Sequence, residues 1–360
     1  MKSILYSHTL HAFASLPRLI LSPLVSGSLL LSLTYYPETV RDVLDPIIRA
    51  LPARLRRITL NLTVAKSVLK VFFGLGLLRQ VNQALNIMAS NSWRLLAASG
   101  WDWSNEIAVV TGGSSGIGKD IVEKLVALGM RVAVLDLQEP PKAMQANDRI
   151  GFYHCDVTSV ESVRAAAEAV RREIGHPSIL VNNAGVARPA PILKTSEEAL
   201  RTTFGVNCMA LWFTTQEFLP RMIQLDKGHV VTVASIASFV ALATAADYSA
   251  TKAGALAFHE ALASEIKHYY KSPKILTTVV HPNFVNTPLI EDYSSRLQDR
   301  GVRLLTSDQV ADKIVSQIHS RRGGQLIIPD TSSAISGIRG WPTWLQEILR
   351  DVIGRGSVQR

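Results

Sequence analysis

The sequence of 360 residues contains little cysteine and few charged residues. Its two cysteines, Cys155 and Cys208, are too few for the disulfide framework of a small secreted protein. They also lack the paired spacing of a zinc site, so no metal centre is expected. Charged residues make up 19% of the chain and hydrophobic residues 47%, which excludes an intrinsically disordered protein. The low cysteine content favours an intracellular, reducing compartment.

The net charge of +9 is unevenly distributed. Residues 1–100 carry 11 Lys and Arg against 3 Asp and Glu, whereas residues 101–360 carry 27 against 26. A nucleic-acid-binding domain is expected to cluster its basic residues beside a recognisable binding motif. The near-neutral remainder therefore argues against nucleic acid. We interpret residues 1–100 as a basic, hydrophobic anchor region with a linker, residues 101–334 as the main domain, and residues 335–360 as a tail.

An uncharged run covers residues 19–36. Its eighteen residues, at ~1.5 Å each in a helix, approach the ~30 Å hydrocarbon core of a membrane. Pro23, Gly27 and several hydroxyl residues weaken the run, so a transmembrane helix and an in-plane or hairpin anchor both stay open. A cleaved signal peptide is less favoured because no A-x-A site follows. The arginines between residues 41 and 57 would keep the downstream chain in the cytosol.

A second apolar stretch covers residues 58–78 and is interrupted by Lys66 and Lys70. These lysines are four apart and share one helical face. We interpret the stretch as an interfacial helix whose lysines lie at anionic headgroups, with a helix packed on the main domain as the alternative. Residues 1–100 are therefore expected to bind a membrane or lipid-droplet surface.

After Trp103 the sequence alternates short apolar runs with helical patterns. This alternation predicts repeated strand-helix-strand units and an α/β fold with a doubly wound parallel sheet. Hydroxyl residues followed three positions later by Glu or Gln predict helix starts at Thr158, Thr195 and Thr306. Seven strands are expected, at residues 107–110, 132–135, 151–154, 179–181, 230–233, 276–280 and 325–328.

The first strand leads into a glycine-rich turn and then a helix. The turn reads Thr111-Gly112-Gly113-Ser114-Ser115-Gly116-Ile117-Gly118. Its glycines allow a tight turn and close approach of a pyrophosphate, whose charge is favoured at a helix N-terminus. The arrangement indicates a Rossmann-type dinucleotide site. Asp136 ends the second strand, where a carboxylate binds ribose hydroxyls and repels a 2′-phosphate, so NAD is expected in preference to NADP.

Tyr248 and Lys252 are four residues apart and hence neighbours on one helical face. An ammonium beside a phenol is expected to lower the phenol's pKa from ~10, so that Tyr248 exchanges protons with an alcohol or carbonyl. Ser235 closes a predicted strand at its carboxyl end, where ligands bind in open α/β sheets. Its hydroxyl is suited to holding the substrate oxygen.

These motifs, in this order, resemble the short-chain dehydrogenase/reductase family over residues 106–330. The resemblance implies that Ser235, Tyr248, Lys252 and Asn207 are catalytic, with Asn207 holding a water in a proton relay. It implies cofactor contacts from the glycine-rich turn (Thr111, Gly112, Ser114, Ser115, Gly116, Ile117, Gly118), from Asp136, Asp156, Val157, Asn183, Ala184 and Gly185, from Tyr248 and Lys252, and from Pro282, Val285 and Thr287.

The chain departs from the family pattern after the sixth strand, where Pro282-Asn283 replaces the usual Pro-Gly. Asparagine tolerates positive φ better than other non-glycine residues, so we expect the turn to survive. The run PNFVNT at residues 282–287, the basic apolar N-terminus and the WDW at residues 101–103 are similar to the membrane- and lipid-droplet-associated subgroup that includes retinol and hydroxysteroid dehydrogenases. Residues 288–305 are expected to form the substrate lid.

The resemblance implies an NAD(H)-dependent oxidoreductase that interconverts a lipophilic primary or secondary alcohol (a retinoid, steroid or long-chain lipid) and its carbonyl. An NADPH-dependent ketoreductase of lipid or secondary metabolism is the alternative, followed by a membrane or lipid-droplet scaffold that needs no catalysis. The expected location is the endoplasmic reticulum membrane or the lipid droplet, with the catalytic domain facing the cytosol. Helices near residues 200–222 and 248–267 would form a homodimer interface, although a monomer stays open. The tail predicts an amphipathic helix that packs on the domain or a dimer partner, or faces the membrane.

Overall fold

The computed structural model describes residues 21–50, 62–299 and 301–358. The first two residues of the uncharged run, the arginines at 54, 56 and 57, and the start of the second apolar stretch lie outside the described residues. The chain divides into two compact units, Met1–Ile87 and Met88–Arg360.

The first unit is helical in its described part. It contains α1 (Pro23–Tyr35), α2 (Pro37–Ala50) and most of α3 (Leu62–Ser90). Two glycines allow close packing within it: a Cβ at Gly27 would lie 3.0 Å from the Phe73 ring, and a Cβ at Gly76 would lie 2.2 Å from the carbonyl oxygen of Leu21. Lys66 and Lys70 both belong to α3. Among the described residues, no helix has the length and apolar character needed to cross a membrane.

The second unit contains a seven-stranded, wholly parallel sheet, and each predicted strand overlaps an observed one. The strands are β1 (Ile107–Thr111), β2 (Arg131–Asp136), β3 (Ile150–His154), β4 (Ile179–Asn182), β5 (His229–Val233), β6 (Leu276–Pro282) and β9 (Gly324–Ile328). Their order in the sheet is β3-β2-β1-β4-β5-β6-β9, which confirms the predicted Rossmann-type doubly wound fold. A short parallel pair joins β7 (Val285–Asn286) and β8 (Leu305–Thr306).

Helices cover both faces of the sheet, so the central strands are buried on both sides and consist largely of Val, Ile and Leu. Successive side chains of β1 enter opposite cores: Val109 packs with Leu180 on one face, and Val110 packs with Ile314 on the other. The helices are α4 (Gly116–Ala127), α5 (Lys142–Gln145), α6 (Val160–Glu173), α7 (Glu197–Phe204), α8 (Ala210–Leu225), α9 (Ala246–His268), α10 (Glu291–Asp299), α11 (Ser307–His319) and α12 (Thr343–Val358).

The predicted helix starts are correct at one position and wrong by one residue at two. Thr306 forms the predicted capping box with Gln309 at the start of α11. At α6 the cap is Ser159, whose Oγ accepts the N–H of Ser162, and at α7 it is Ser196. In both cases the cap is the serine that directly follows the predicted threonine. This serine lies three residues before an N–H group in the first turn of the helix, which is the spacing that a side-chain cap requires.

The tail packs on the main domain. A 3-10 segment (Asp330–Gly340) leads into α12, and Ile338 is buried among Ile236, Phe239 and Val240. Leu349 and Ile353 pack against the same cluster. A neighbouring face of α12 carries exposed apolar residues at helical spacing, namely Trp344, Ile348 and Val352.

Candidate active site

The glycine-rich turn joins β1 to α4 with almost no room for side chains. Gly112 and Gly116 have φ values of +63° and +52°, the left-handed region that favours glycine. A Cβ at Gly118 would lie 2.0 Å from the carbonyl oxygen of Gly112. Ser115 precedes α4 and forms no capping bond through its side chain, and Ile117 is half-buried against the core. The turn therefore presents backbone at a helix N-terminus, which suits a phosphate.

The ends of β1 and β4 are joined beside this turn. Thr111 Oγ1 accepts hydrogen bonds from the backbone N–H groups of Asn183 and Ala184, both at 3.0 Å. The Asn183 side-chain amide donates to the carbonyls of Thr111 and Gly112 at 3.0 and 3.1 Å. A Cβ on Gly185 would lie 3.5 Å from Asn207 Oδ1 and 3.6 Å from Lys252 Nζ. The structure thus brings these predicted cofactor residues next to two predicted catalytic ones.

Two acidic residues lie at the same edge of the sheet: Asp136 is the last residue of β2, and Asp156 lies two residues after β3. The Asp136 carboxylate accepts the N–H of Ser114 at 3.0 Å and that of Gln138 at 3.1 Å. A negative charge is therefore fixed directly beside the glycine-rich turn. Asp156 accepts the N–H of Thr158 at 2.9 Å, and Val157 next to it is buried.

Tyr248 and Lys252 lie on one face of α9, as expected. The Lys252 side chain is buried, its Nζ donates to the Val233 carbonyl at 2.9 Å, and Nζ lies 5.7 Å from the centre of the Tyr248 ring. Burial lowers the pKa of Lys252 to about 8, because the charged ammonium is removed from water. Lys252 thus joins α9 to the end of β5.

The pKa of Tyr248 departs from the expectation. Burial raises it, and a hydrogen bond with the Ser235 side chain acts in the opposite direction. Lys252 is not among the causes of this shift, so the expected lowering by its ammonium is outweighed by burial. The protein alone therefore favours the protonated phenol.

Ser235 lies two residues beyond the end of β5 and begins a 3-10 turn (Ile236–Ser238). Its Oγ accepts the N–H of Ala237 at 3.2 Å. Asn207 lies in a π-helical turn (Gly205–Met209), and its side chain bonds both the N–H and the carbonyl of Val186 at 2.8 Å. Ser235, Tyr248, Lys252 and Asn207 all lie near the carboxyl edge of the sheet.

The segment after β6 passes over the phosphate turn. A Cβ on Gly116 would lie 3.3 Å from the Thr287 methyl group, while Val285 is buried and Pro282 ends β6. Asn283 does not adopt positive φ, so the tolerance of asparagine for that conformation is not what preserves the turn. Its N–H donates to Ile328 at 2.8 Å and its Oδ1 accepts the N–H of Phe284 at 2.9 Å, so the turn is stabilised without left-handed backbone.

The sequence interpretation missed two residues that contact the loop of Ser235. His281 is buried, and its Nδ1 lies 3.1 Å from the carbonyl oxygen of Ser235. The sequence pattern that could have indicated His281 is a polar residue within an otherwise apolar strand, directly before Pro282. Arg339, from the tail, reaches the carbonyls of Ser238 and Phe239, and nothing in its local sequence indicates this.

Comparisons with known proteins agree with this geometry. The family model described as short chain dehydrogenase matches residues 106–298. Dehydrogenase RED2 of Cochliobolus heterostrophus is 38% identical over 204 residues, covering 55% of this chain and 77% of that protein. Retinol dehydrogenase 10-A of Xenopus laevis is 32% identical over 232 residues (56% and 67%). Estradiol 17-beta-dehydrogenase 11 of Macaca fascicularis is 33% identical over 200 residues (54% and 66%).

A solved structure supports the fold. The 3-ketoacyl-(acyl-carrier-protein) reductase from Brucella melitensis, complexed with NADH, has a TM-score of 0.57 and 23% identity, and covers 63% of this chain and 98% of that one. The matched family model covers more than half of this chain, and the family binds nicotinamide cofactors. The chain belongs to the short-chain dehydrogenase family and is an oxidoreductase that acts on CH–OH groups.

Proposed function

We propose that the protein is an NAD(H)-dependent oxidoreductase that interconverts a lipophilic alcohol and its carbonyl, with Tyr248 as the acid/base. The observation that carries the proposal is the placement of Tyr248 and Lys252 on one face of α9 at the carboxyl edge of the sheet. Lys252 Nζ lies 5.7 Å from the Tyr248 ring centre and donates to the carbonyl of Val233, two residues before Ser235. A phenol and a serine hydroxyl at the same edge of the sheet are suited to binding one substrate oxygen and moving its proton.

In oxidation, Tyr248 accepts the proton of the substrate hydroxyl while Ser235 holds the oxygen. The bound nicotinamide supplies the hydride acceptor for oxidation and the hydride donor for reduction. In reduction, Tyr248 donates its proton to the oxygen of the forming alcohol. Because burial raises the pKa of Tyr248, the protonated form needed for reduction is favoured near neutral pH, and oxidation should speed up as pH rises.

The cofactor preference rests on Asp136. Its carboxylate lies at the end of β2 and is held by the N–H groups of Ser114 and Gln138. A fixed negative charge here accepts hydrogen bonds from ribose hydroxyls and repels a 2′-phosphate. This supports NAD(H) over NADP(H).

The substrate class rests on the relatives. A retinol dehydrogenase and an estradiol dehydrogenase are among the proteins that this chain resembles at about one-third identity. A retinoid, steroid or long-chain lipid alcohol is therefore the proposed substrate. An NADPH-dependent carbonyl reducer of lipid or secondary metabolism is the alternative that the cofactor test below would reveal.

Membrane association is proposed for the first unit, at the endoplasmic reticulum or a lipid droplet with the catalytic unit in the cytosol. In α3 the apolar residues Val68, Val71, Leu75 and Leu78 are exposed, and Lys66 and Lys70 lie on the same helix. Exposed apolar side chains next to lysines suit the boundary between acyl chains and anionic headgroups.

A homodimer is proposed for the second unit through α7 and α8. Leu200 and Phe204 on α7, with Met209 and Trp212 next along the chain, are large apolar residues with exposed surface. An apolar patch of this kind on a catalytic domain is typical of an association surface. Sedimentation of the full-length protein in detergent tests this directly.

The function is tested by NADH production from detergent-purified, full-length protein given retinol, hydroxysteroids and long-chain alcohols, with NAD and NADP at matched concentrations. Tyr248→Phe is the control; it should abolish turnover and leave NAD binding nearly intact. Turnover that survives in Tyr248→Phe would remove Tyr248 from the acid/base role. A preference for NADP would favour the ketoreductase. If the protein binds NAD but oxidises none of these alcohols, a substrate outside the set or a scaffold role would be favoured.

A further inference from the structure

We propose that Arg339 is a positioning residue that holds the loop carrying Ser235, so that the tail is a working part of the catalytic unit. This inference rests on the proposed function of Ser235. The loop is defined as residues 234–240 and is called the Ser235 loop below. Arg339 lies in the 3-10 segment that follows the last strand, and its guanidinium donates to the Ser238 and Phe239 carbonyls of the Ser235 loop.

The Ser235 loop is anchored on its inner side by three donors to one carbonyl, the first of which is the Ser238 N–H at 3.0 Å. The carbonyl oxygen of Ser235 accepts the Ser238 hydroxyl at 2.6 Å and faces His281 Nδ1 at 3.1 Å. Because a carbonyl only accepts, Nδ1 of His281 must carry the proton in this bond. These bonds fix the peptide that precedes the 3-10 turn.

Arg339 anchors the other end of the turn. Its Nη2 donates to the carbonyl of Ser238 at 3.1 Å, and its Nε donates to the carbonyl of Phe239 at 3.3 Å. Carbonyls at the end of a helical turn lack partners within the turn. The planar guanidinium, with donors in a fixed fork, satisfies two such carbonyls at once, whereas a lysine ammonium is a point donor.

The two anchors belong to one packed assembly. The Phe239 ring packs on the His281 ring with centres 4.5 Å apart, so the residue bonded by Arg339 contacts the residue that holds the Ser235 carbonyl. Ile338, directly before Arg339, is buried in the cluster that contains Ile236 and Phe239. The tail therefore presents Arg339 from a fixed position.

The consequence for the site follows from the Ser235 side chain. Its Oγ accepts the N–H of Ala237, inside the Ser235 loop, and the same side chain is close enough to Tyr248 to oppose the rise in that phenol's pKa. A loop that loses its outer anchor would therefore hold Ser235 less well against Tyr248. Misplacement by 1 Å can cost about 10²-fold in rate, and release of one anchor should cost less, roughly tenfold.

The test compares Arg339→Ala and Arg339→Lys in full-length protein with Arg322→Ala as the matched control. Arg322 also donates to a backbone carbonyl, that of Leu95 at 3.2 Å, but contacts no part of the Ser235 loop. With retinol or estradiol, whichever is oxidised faster, Arg339→Ala should lower kcat roughly tenfold. The KM for the alcohol and the affinity for NAD should hardly change, and Arg339→Lys should recover part of kcat. An equal loss in Arg322→Ala, or unchanged kcat in Arg339→Ala, would overturn the proposal.

A double-mutant cycle with Ser235→Ala separates positioning from general damage. If Arg339 acts through Ser235, Arg339→Ala should cost little further kcat once the Ser235 hydroxyl is gone. Independent, additive losses would show that Arg339 acts elsewhere.

Hydrogen exchange provides a readout that needs no turnover. Backbone amides of residues 235–240 should exchange faster in Arg339→Ala than in wild type, and at the wild-type rate in Arg322→Ala. Unchanged exchange in Arg339→Ala would overturn the anchor. Faster exchange in a protein that oxidises no alcohol would leave the anchor standing and place the failure in the proposed function.

Discussion

The side chain of Asn207 pairs with the backbone of Val186 as a neighbouring strand would. Asn207 Oδ1 accepts the Val186 N–H and Nδ2 donates to the Val186 carbonyl, both at 2.8 Å. The second Nδ2 hydrogen lies towards Thr251 Oγ1 at 3.2 Å. The amide donors of Asn207 are thus used within the protein, so a water held at this position would bind Oδ1 or the backbone of the π-helical turn.

We expect Asn207→Ala to destabilise the protein as well as slow it. The change leaves the N–H and carbonyl of the half-buried Val186 without partners, and each unsatisfied group costs about 1–3 kcal/mol when it is kept from water. For a unit of this size the two groups together correspond to a fall of about 4 °C or more in the thermal unfolding midpoint. Thr251→Val is the control, because it removes the third bond of Asn207 and the bond from Thr251 Oγ1 to the Tyr248 carbonyl but leaves Val186 paired, and it should shift the midpoint less. Equal shifts in the two variants would contradict the pairing with Val186.

We expect Gly118→Ala to abolish NAD binding. The added Cβ would lie 2.0 Å from the Gly112 carbonyl oxygen and 2.5 Å from Asn183 Nδ2, so the phosphate turn must move. Gly354→Ala in α12 is the control, because a Cβ there meets nothing within 4 Å. Isothermal titration with NAD measures the effect. Wild-type affinity in Gly118→Ala would show that the turn is not where the pyrophosphate binds.

We expect Asp136→Asn to shift cofactor preference towards NADP. The amide keeps an oxygen for one of the N–H groups of Ser114 and Gln138 but removes the charge that repels a 2′-phosphate. The ratio of kcat/KM for NAD to that for NADP should fall at least tenfold, a change of about 1.4 kcal/mol. Asp148→Asn, which removes an exposed charge, should leave the ratio unchanged. No change in Asp136→Asn would contradict the selecting role of Asp136.

The sheet and the phosphate turn were predictable because each follows from a local physical requirement. Strands covered on both faces must be apolar throughout, as β1 is, and this pattern is visible in any short stretch. The glycines of the turn are dictated by backbone clashes between residues close in sequence, such as Gly112 and Gly118. The exact capping residue of a helix was harder to predict. Thr158 and Ser159 both carry a hydroxyl, and only the backbone geometry selects between them.

The environment of the catalytic groups was not predictable in the same way. The raised pKa of Tyr248 depends on burial, which depends on the whole fold, and not on its spacing from Lys252. Arg339 contacts carbonyls 100 and 101 positions away in the chain. No periodicity or motif encodes a contact between a tail and a loop at that distance.

We expect Lys66→Glu with Lys70→Glu to weaken binding of full-length protein to vesicles that contain phosphatidylserine. Each basic residue near such a surface contributes about 1 kcal/mol, so reversing two charges should reduce binding at least tenfold. Binding to neutral vesicles should change little. Lys194→Glu with Lys271→Glu reverses two exposed charges of the second unit and is the control. A similar loss from both pairs would mean that net charge, and not α3, governs binding.

Three buried histidines should make the protein less stable in mild acid. Burial lowers the pKa of His229 to about 3 and those of His259 and His281 to about 4. Between the unfolded value of 6.5 and these folded values, the unfolded chain takes up protons that the folded chain does not. Stability is therefore present in full above pH 6.5 and is lost as pH falls towards 4.

His259→Gln isolates one contribution. His259 lies in α9 with Nδ1 3.3 Å from Thr232 Oγ1, a bond that glutamine can replace. By pH 5 the wild-type histidine should cost about 2 kcal/mol of stability relative to neutral pH. The unfolding midpoint of His259→Gln should accordingly fall less between pH 7 and pH 5 than that of wild type, whatever the variant's stability at pH 7. His154→Gln, at an exposed histidine, should fall as wild type does. If the falls in His259→Gln and wild type were the same, His259 would already be protonated in the folded protein, and its lowered pKa would be contradicted.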